Sequence, residues 1–284
     1  MDQTTRLKPI IRWVGGKAKL LPQIIERIPT FTGTYYEPFV GGAAVVLGLM
    51  PTKAVVADKS EELINFYNEI KRDPNGVCEI ASSFRNDSVM YYEVRSWDKD
   101  PDFVTNVEAV RRAGRYLYLN KTCFNGLMRV NTKKGYNNTP YGRPRDFEID
   151  VEKFATFSKA VQHITFRCSS FESIIDLAIE DDFVYLDPPY VPVSETASYT
   201  AYTLGGFTME DQVRLRDCCD TLTQRGVKFL LSNSDCEQTR ALYKNFIIDT
   251  VGIKRTVSAK SSSRVDTTEV LVRNYALSEA EHAL

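Results

Sequence analysis

The apolar run Phe183-Val184-Tyr185-Leu186 stops at Asp187-Pro188-Pro189-Tyr190, and no other feature restricts the fold of this chain more. Four consecutive apolar residues suit a strand covered on both faces. The two prolines, each with φ held at about −65° and no N–H to give, end that strand at once. Other short apolar runs share the design. Thr34 to Val40 leads into Gly41-Gly42, Lys53 to Asp58 ends on an acid, and Ile164 to Cys168, Val227 to Leu231 and Glu269 to Val272 read as further strands. Between them lie helix-forming stretches: Ala43 to Leu49, a segment opened by Ser60 as N-cap, Phe171 to Ile179, and Met209 to Thr223. Strands alternating with helices predict an α/β fold built on a doubly wound, largely parallel sheet.

The alternation lapses between about Asp73 and Gln162, where the pattern turns helical, with Val107 to Lys121 the longest candidate, and then runs through the Asn/Gly/Lys/Pro-rich stretch Thr122 to Arg145. Residues 1–72 and 163–284 are therefore expected to form one domain, with 73–162 inserted as a second; a chain of 284 residues, 43% hydrophobic, has room for both. Ala109 to Arg145 holds nine basic residues (Arg111, Arg112, Arg115, Lys121, Arg129, Lys133, Lys134, Arg143, Arg145) and no acid, in a chain of net charge −1. Mixed with Tyr116, Tyr118, Phe124, Tyr136 and Tyr141 and with Asn120, Asn125, Asn131, Asn137 and Asn138, such a run can contact phosphates, stack on bases and read base edges. The alternative is a solvated charged face. Lys254-Arg255 and Ala259 to Arg264 form a second acid-free basic stretch. No apolar segment approaches the ~20 residues that span a bilayer, and the polar start is no signal peptide, so a soluble, cytoplasmic protein is expected. Six cysteines without a C-x-x-C pair, beside two histidines, read as free, mostly buried thiols and no metal site.

The prolines leave the carbonyls of Asp187 and Pro188 to accept hydrogen bonds from elsewhere, and an exocyclic amine on a nucleobase is a fitting donor, with Tyr190 as stacking platform. An ordinary turn closing a strand is the plain alternative. Gly41-Gly42 leaves no side chain to obstruct a ligand at a strand end, while the following helix offers free N–H groups. No G-x-G-x-x-G is present, which tells against a pyrophosphate cofactor and a nicotinamide-dependent oxidoreductase. Asp58, closing the second strand, is placed to hold a ribose diol, so a nucleoside-type cofactor is expected. Arg12-Trp13-Val14-Gly15-Gly16-Lys17 precedes a predicted helix Ala18 to Arg27; Lys17 could meet a carboxylate, although a helix start with a core Trp13 would explain the segment by itself.

Trp13-x-Gly15-Gly16-Lys17, Glu37-Pro38-Phe39-Val40-Gly41-Gly42, Asn120 to Asn131 and Asp187-Pro188-Pro189-Tyr190 together resemble the Dam-type, alpha-group DNA adenine methyltransferases, in that family's order, over about residues 8 to 275. The resemblance implies a Rossmann-like methyltransferase sheet with an inserted, mostly helical target-recognition domain. It implies S-adenosyl-L-methionine as methyl donor and the exocyclic amine of adenine in double-stranded DNA as acceptor. Asp187, Pro188, Pro189 and Tyr190 would then be catalytic. Trp13, Gly15, Lys17, Glu37, Phe39, Gly41, Asp58, Phe171 and Asp187 would hold the cofactor. Asn120, Asn125, Leu127, Arg129, Asn131, Pro140 and Tyr141 would meet DNA, Arg129 as the guanine reader. The insert resembles GATC-modifying members, some of which act beside a restriction endonuclease that reads the same site without a stable complex; relatives with longer GAT-containing sites share the pattern. RNA adenine and a protein glutamine amide also present a planar amine, but the basic insert favours nucleic acid, and groove readout favours DNA. A non-catalytic DNA-binding module is the remaining alternative, against which Asp187 and Tyr190 stand intact.

Overall fold

The computed structural model describes residues 7–131, 134–192, 206–253 and 267–277. Lys133 and the basic stretch 254–264 lie outside them. Seven strands among the described residues form one sheet: β1 Tyr35–Glu37, β2 Ala54–Asp58, β3 Ile164–Cys168, β4 Phe183–Leu186, β5 Lys228–Ser234, β6 Ile247–Ile253 and β7 Thr267–Arg273. Their order is β3-β2-β1-β4-β5-β7-β6, with β1 to β5 parallel and β7 antiparallel to both neighbours. The helices are α1 Leu21–Ile25, α2 Ala44–Leu49, α3 Glu61–Arg72, α4 Pro74–Ser83, α5 Ser88–Arg95, α6 Phe103–Asn106, α7 Ala109–Thr122, α8 Val151–Ala160, α9 Phe171–Ile175, α10 Met209–Gln224 and α11 Glu237–Leu242. This is the expected mostly parallel α/β sheet.

Alternation along the strands sorts the core into two layers. Tyr35, Phe183 and Tyr185 pack into a cluster with α3, α4, α7 and α8, whereas Tyr36, Val184, Leu186 and Leu231 pack with α9 and α10 on the other face. All four β4 side chains are fully buried, as an apolar run without alternation requires. Helices α4, α5, α7 and α8 share the first cluster: Tyr91, Val94, Tyr116, Leu117 and Phe154 are continuous with Leu63, Phe66 and Ile70 of α3. The apolar core therefore runs straight through residue 72, the expected boundary, from α3 into the helices that follow.

Three local readings differ from expectation. The predicted helix Ala18 to Arg27 shortens to a 3-10 turn at Lys17–Lys19 and then α1, because Pro22 can begin a helix but cannot sit inside one. β1 spans only Tyr35–Glu37, since Pro38 has no N–H for the ladder, although Val40 N still reaches Ala57 O at 2.8 Å. Of the six cysteines, Cys78, Cys123 and Cys219 are buried, Cys168 is exposed and Cys218 and Cys236 are intermediate, a wetter set than expected, and all six are free thiols. Among the described residues no helix is long and apolar enough to cross a membrane, and no cluster of His, Cys, Asp and Glu could hold a metal ion.

Candidate active site and nucleic-acid interface

The strand order reverses between β1 and β4, and a crevice must open at their carboxyl ends because the flanking helices depart to opposite faces. A cavity of about 790 Å3 lies there. Trp13, Gly15, Lys17, Glu37, Phe39, Gly41, Asp58, Phe171, Asp187, Pro188, Pro189 and Tyr190, drawn from five separate stretches of sequence, all line it. The size suits a nucleoside-sized ligand.

The glycine turn after β1 forms the cradle. Gly41 adopts φ +42°, and a Cβ on Gly41 or Gly42 would strike Trp13, whose indole lies against the turn. Tyr67 OH donates to Gly41 O at 2.9 Å, and Gly41 N donates to Asp58 Oδ2 at 3.1 Å. Asp58 also accepts from Ser60 N at 3.0 Å through its other oxygen. Burial pushes its carboxyl up, while those backbone N–H groups pull it down. Glu37 is 2% exposed, accepts from Tyr35 OH at 2.8 Å and Val46 N at 3.0 Å, and is pushed up to about 8, chiefly by burial. At one end of the cavity Phe39 stacks on Phe171 with centroids 5.5 Å apart, and Phe207 meets Phe39 edge-on at 5.8 Å.

At the other end, Lys17 Nζ lies 2.8 Å from Asp187 Oδ1, 2.8 Å from Gly15 O and 4.5 Å above the Tyr190 ring centroid. Ser232 Oγ donates to the same Asp187 oxygen at 2.9 Å and is itself 3.0 Å from Tyr185 OH. Burial raises the Asp187 carboxyl, and Lys17 and Ser232 oppose it. Asp187 Oδ2 and the Pro188 carbonyl carry no hydrogen bond among the described residues. The chain beyond is clamped from two elements: Gln212 of α10 donates to Pro189 O at 2.7 Å, and Asn233 of β5 accepts from Val191 N at 3.0 Å and donates to Gln212 at 3.2 Å. Phe207, Gln212, Ser232, Asn233 and Glu269 were not singled out as individual site residues in the sequence. Leu231 to Ser234 ends a strand and resembles a segment of the adenine-methyltransferase family near the target-base pocket, but the partners of Gln212 and Glu269 are set by topology and carry no local signal.

The expected DNA-binding residues lie apart from this cavity, Asn120 within α7 and the other six on a hairpin after it. Phe124 N reaches Pro140 O at 2.9 Å, Asn138 N reaches Arg129 O at 3.1 Å and Asn131 N reaches Tyr136 O at 2.8 Å. Asn125 and Pro140 are exposed, and Leu127, Arg129 and Asn131 half-buried. Arg129 Nε is buried with no hydrogen-bond partner. Tyr141 is held from behind, its hydroxyl donating to Asn86 at 2.7 Å and its ring 5.2 Å from Tyr91. Asn120 is fully buried instead of facing a groove: its Oδ1 accepts from Arg12 N at 3.0 Å and its Nδ2 donates to Arg12 O at 2.8 Å. Nor is the basic run one surface. Arg112 is 6% exposed and paired with Glu61 and Glu62, and Arg115 is 2% exposed and paired with Asp98 at 2.9 Å. Arg111, Lys134, Arg143 and Arg145 do face outward.

The profile of the D12 class of N6 adenine-specific DNA methyltransferases matches residues 13–257. The type II methyltransferase M1.LlaDCHI of Lactococcus lactis subsp. cremoris is 42% identical over 274 residues, 95% of this chain and 96% of that protein. The type II methyltransferase M.MjaIII of Methanocaldococcus jannaschii is 36% identical, over 95% of this chain and 99% of its own. A DNA adenine methylase of Vibrio cholerae is 33% identical, over 93% and 95% respectively.

Proposed function

The chain belongs to the D12 class of N6 adenine-specific DNA methyltransferases, and from that premise we propose that it methylates the exocyclic amine of adenine within GATC in duplex DNA, on a base turned out of the helix, with S-adenosyl-L-methionine as donor. The observation that carries this reading is the open Asp187 Oδ2 beside the open Pro188 carbonyl, at the edge of the cavity that the glycine turn and Trp13 also line. Two acceptors suit the two protons of an amine.

The cavity fits the donor: glycines where any Cβ would collide, a ribose-compatible carboxylate at Asp58, aromatic rings at Phe39 and Phe171, and Lys17 for a carboxylate. When bound, S-adenosyl-L-methionine would supply an electrophilic methyl group carried on a sulfonium. Asp187 and the Pro188 carbonyl would accept hydrogen bonds from the two amine N–H groups, drawing the nitrogen lone pair out of the ring and toward that methyl group; as the N–C bond forms the S–C bond would break, and the nitrogen would then lose one of its two protons to solvent. Tyr190 would stack on the base. No covalent adduct with the protein is required. Alignment carries the reaction, which can supply several kcal/mol, roughly 7–11 in the best cases. On the hairpin, Arg129 would read guanine, a bidentate pair being worth ~1–3 kcal/mol of discrimination. Asn125, Leu127, Asn131 and Pro140 would shape the reader around it. The GATC assignment rests on the resemblance of that segment, and the type II relatives fit a restriction endonuclease acting on the same site without a stable complex.

The test is transfer of labelled methyl from S-adenosyl-L-methionine to unmethylated duplex DNA, mapped at single-base resolution. Methyl-adenine confined to GATC is the expected result. Modification of a longer GAT-containing site would correct the recognition sequence alone, and transfer to RNA or a protein amide instead would overturn the substrate.

A further inference from the structure

Glu269 lies 79 residues beyond Tyr190, yet its Oε2 accepts the Tyr190 phenol hydrogen at 2.5 Å. The sheet brings the two together: Glu269 pairs with Ser234 on β5, one residue past the Asn233 that grips Val191 N. Both side chains line the cavity. The main chain on each side of Tyr190 is already held, Pro189 O by Gln212 and Val191 N by Asn233. What those bonds leave free is the rotation and tilt of the ring. Lys17 Nζ covers one position above it at 4.5 Å, and Glu269 anchors its far end.

We propose that Glu269 is a positioning residue for methyl transfer, locking the Tyr190 ring in the plane against which the target adenine stacks. This rests on the adenine-methyltransferase reading and deepens it. A phenol bonded to a carboxylate makes a charge-assisted hydrogen bond, about twice as strong as a neutral one, so it can hold an aromatic ring against thermal rotation. The same bond enriches the ring in electron density, which favours a cation above its face. Lys17 profits from that in the structure as it stands. The amine nitrogen, as it takes on positive charge in the proposed reaction, would profit too. Glu269 touches neither base nor donor in this scheme; it acts through Tyr190.

Single-turnover methyl transfer to a duplex carrying one target site, with separate titrations of DNA and S-adenosylhomocysteine, should be measured for wild type, Glu269→Gln, Glu269→Ala, Tyr190→Phe and the double variant Tyr190→Phe/Glu269→Ala. Glu269→Ala should slow transfer about tenfold or more while both affinities stay within about threefold. Glu269→Gln, which keeps an acceptor, should recover most of that loss. In the Tyr190→Phe background, where the hydrogen bond is already gone, Glu269→Ala should add less than about twofold. Equal slowing in both backgrounds, or a loss confined to DNA affinity, overturns the inference. Absence of transfer by the wild-type chain would instead overturn the underlying functional reading, so the two failures are told apart by the wild-type measurement.

Discussion

Glu37 shows how burial shifts a carboxyl in this cavity. Its folded-state value, about 8 against an ordinary 4.5, comes first from burial and then from Asp187 nearby, with Tyr35, Val46 N–H and Lys17 pulling the other way. A group raised on folding contributes stability that is complete below its unfolded value and disappears as pH rises through its folded value. Between pH 4.5 and 8 the wild-type chain should therefore lose stability relative to Glu37→Gln by up to about 1.4 kcal/mol per pH unit. Urea melts of both proteins across that window test this; parallel curves would mean that Glu37 is already ionised in the fold. Asp187 is different, because Lys17 and Ser232 secure one oxygen and leave the other open. Asp187→Ala is expected to abolish methyl transfer and to leave DNA affinity within about twofold, since no phosphate contact is lost. Equal loss of both in transfer and filter-binding assays would place Asp187 on the DNA path. Each of these residues was visible in the sequence as part of a motif, but their hydrogen-bond partners were not. Tyr35, Val46 and Ser232 become neighbours only when β1, α2 and β5 meet at the crevice.

The helix α7 carries the main lesson at the level of elements. Counting charges from Ala109 to Arg145 makes one basic surface, yet the acids that neutralise Arg112 and Arg115 are Glu61, Glu62 and Asp98, all outside the counted window. A sequence count cannot see a partner supplied by another helix. Arg115 is a strut: besides Asp98, it donates to Val94 O at 2.8 Å and Arg95 O at 2.9 Å, tying α7 to α5. Arg115→Met should lower stability by about 3 kcal/mol, because Asp98 is left without its buried partner. It should leave unchanged the slope of log affinity for DNA against log salt. Arg145→Ala, on the exposed side, should do the reverse, reducing that slope by about 1 with little change in Tm. Thermal melts and binding titrations on the same two proteins decide it; a flatter slope in Arg115→Met would return Arg115 to the interface. The strands were easier to read. β4 begins and ends where its apolar run does, because it is an interior strand buried on both faces, whereas the edge strand β3 is legible from its alternation, with Ile164 and Phe166 buried and Thr165 exposed. β6 escaped notice as an antiparallel edge strand mixing Asp249, Thr250 and Gly252 with its apolar residues, and edge strands of that kind lack the continuous hydrophobic signal.

Across the whole molecule, the cavity and the hairpin after α7 meet at Arg12. Arg12 immediately precedes Trp13, which packs on the Gly41-Gly42 turn, and Asn120 holds both the N–H and the carbonyl of Arg12. A second contact comes from Gly126 on the hairpin, at φ +69°, where any Cβ would run into the Arg12 side chain. A ligand that orders Trp13 to Lys17 therefore also fixes the ledge on which the hairpin stands. Binding at the two sites should be positively coupled, and by linkage the factor must be the same in both directions. S-adenosylhomocysteine is expected to tighten DNA binding by about 5- to 100-fold, and DNA to tighten S-adenosylhomocysteine binding equally. Asn120→Ala removes both bonds to Arg12 while touching neither ligand in the proposed scheme, so it should shrink the coupling toward unity with smaller changes in each affinity measured alone. Calorimetric titrations of each ligand in the presence and absence of the other give all four constants. An Asn120→Ala protein that weakens DNA binding with its coupling factor intact would mean that Asn120 supports the hairpin alone, and that the contact between cavity and hairpin transmits nothing.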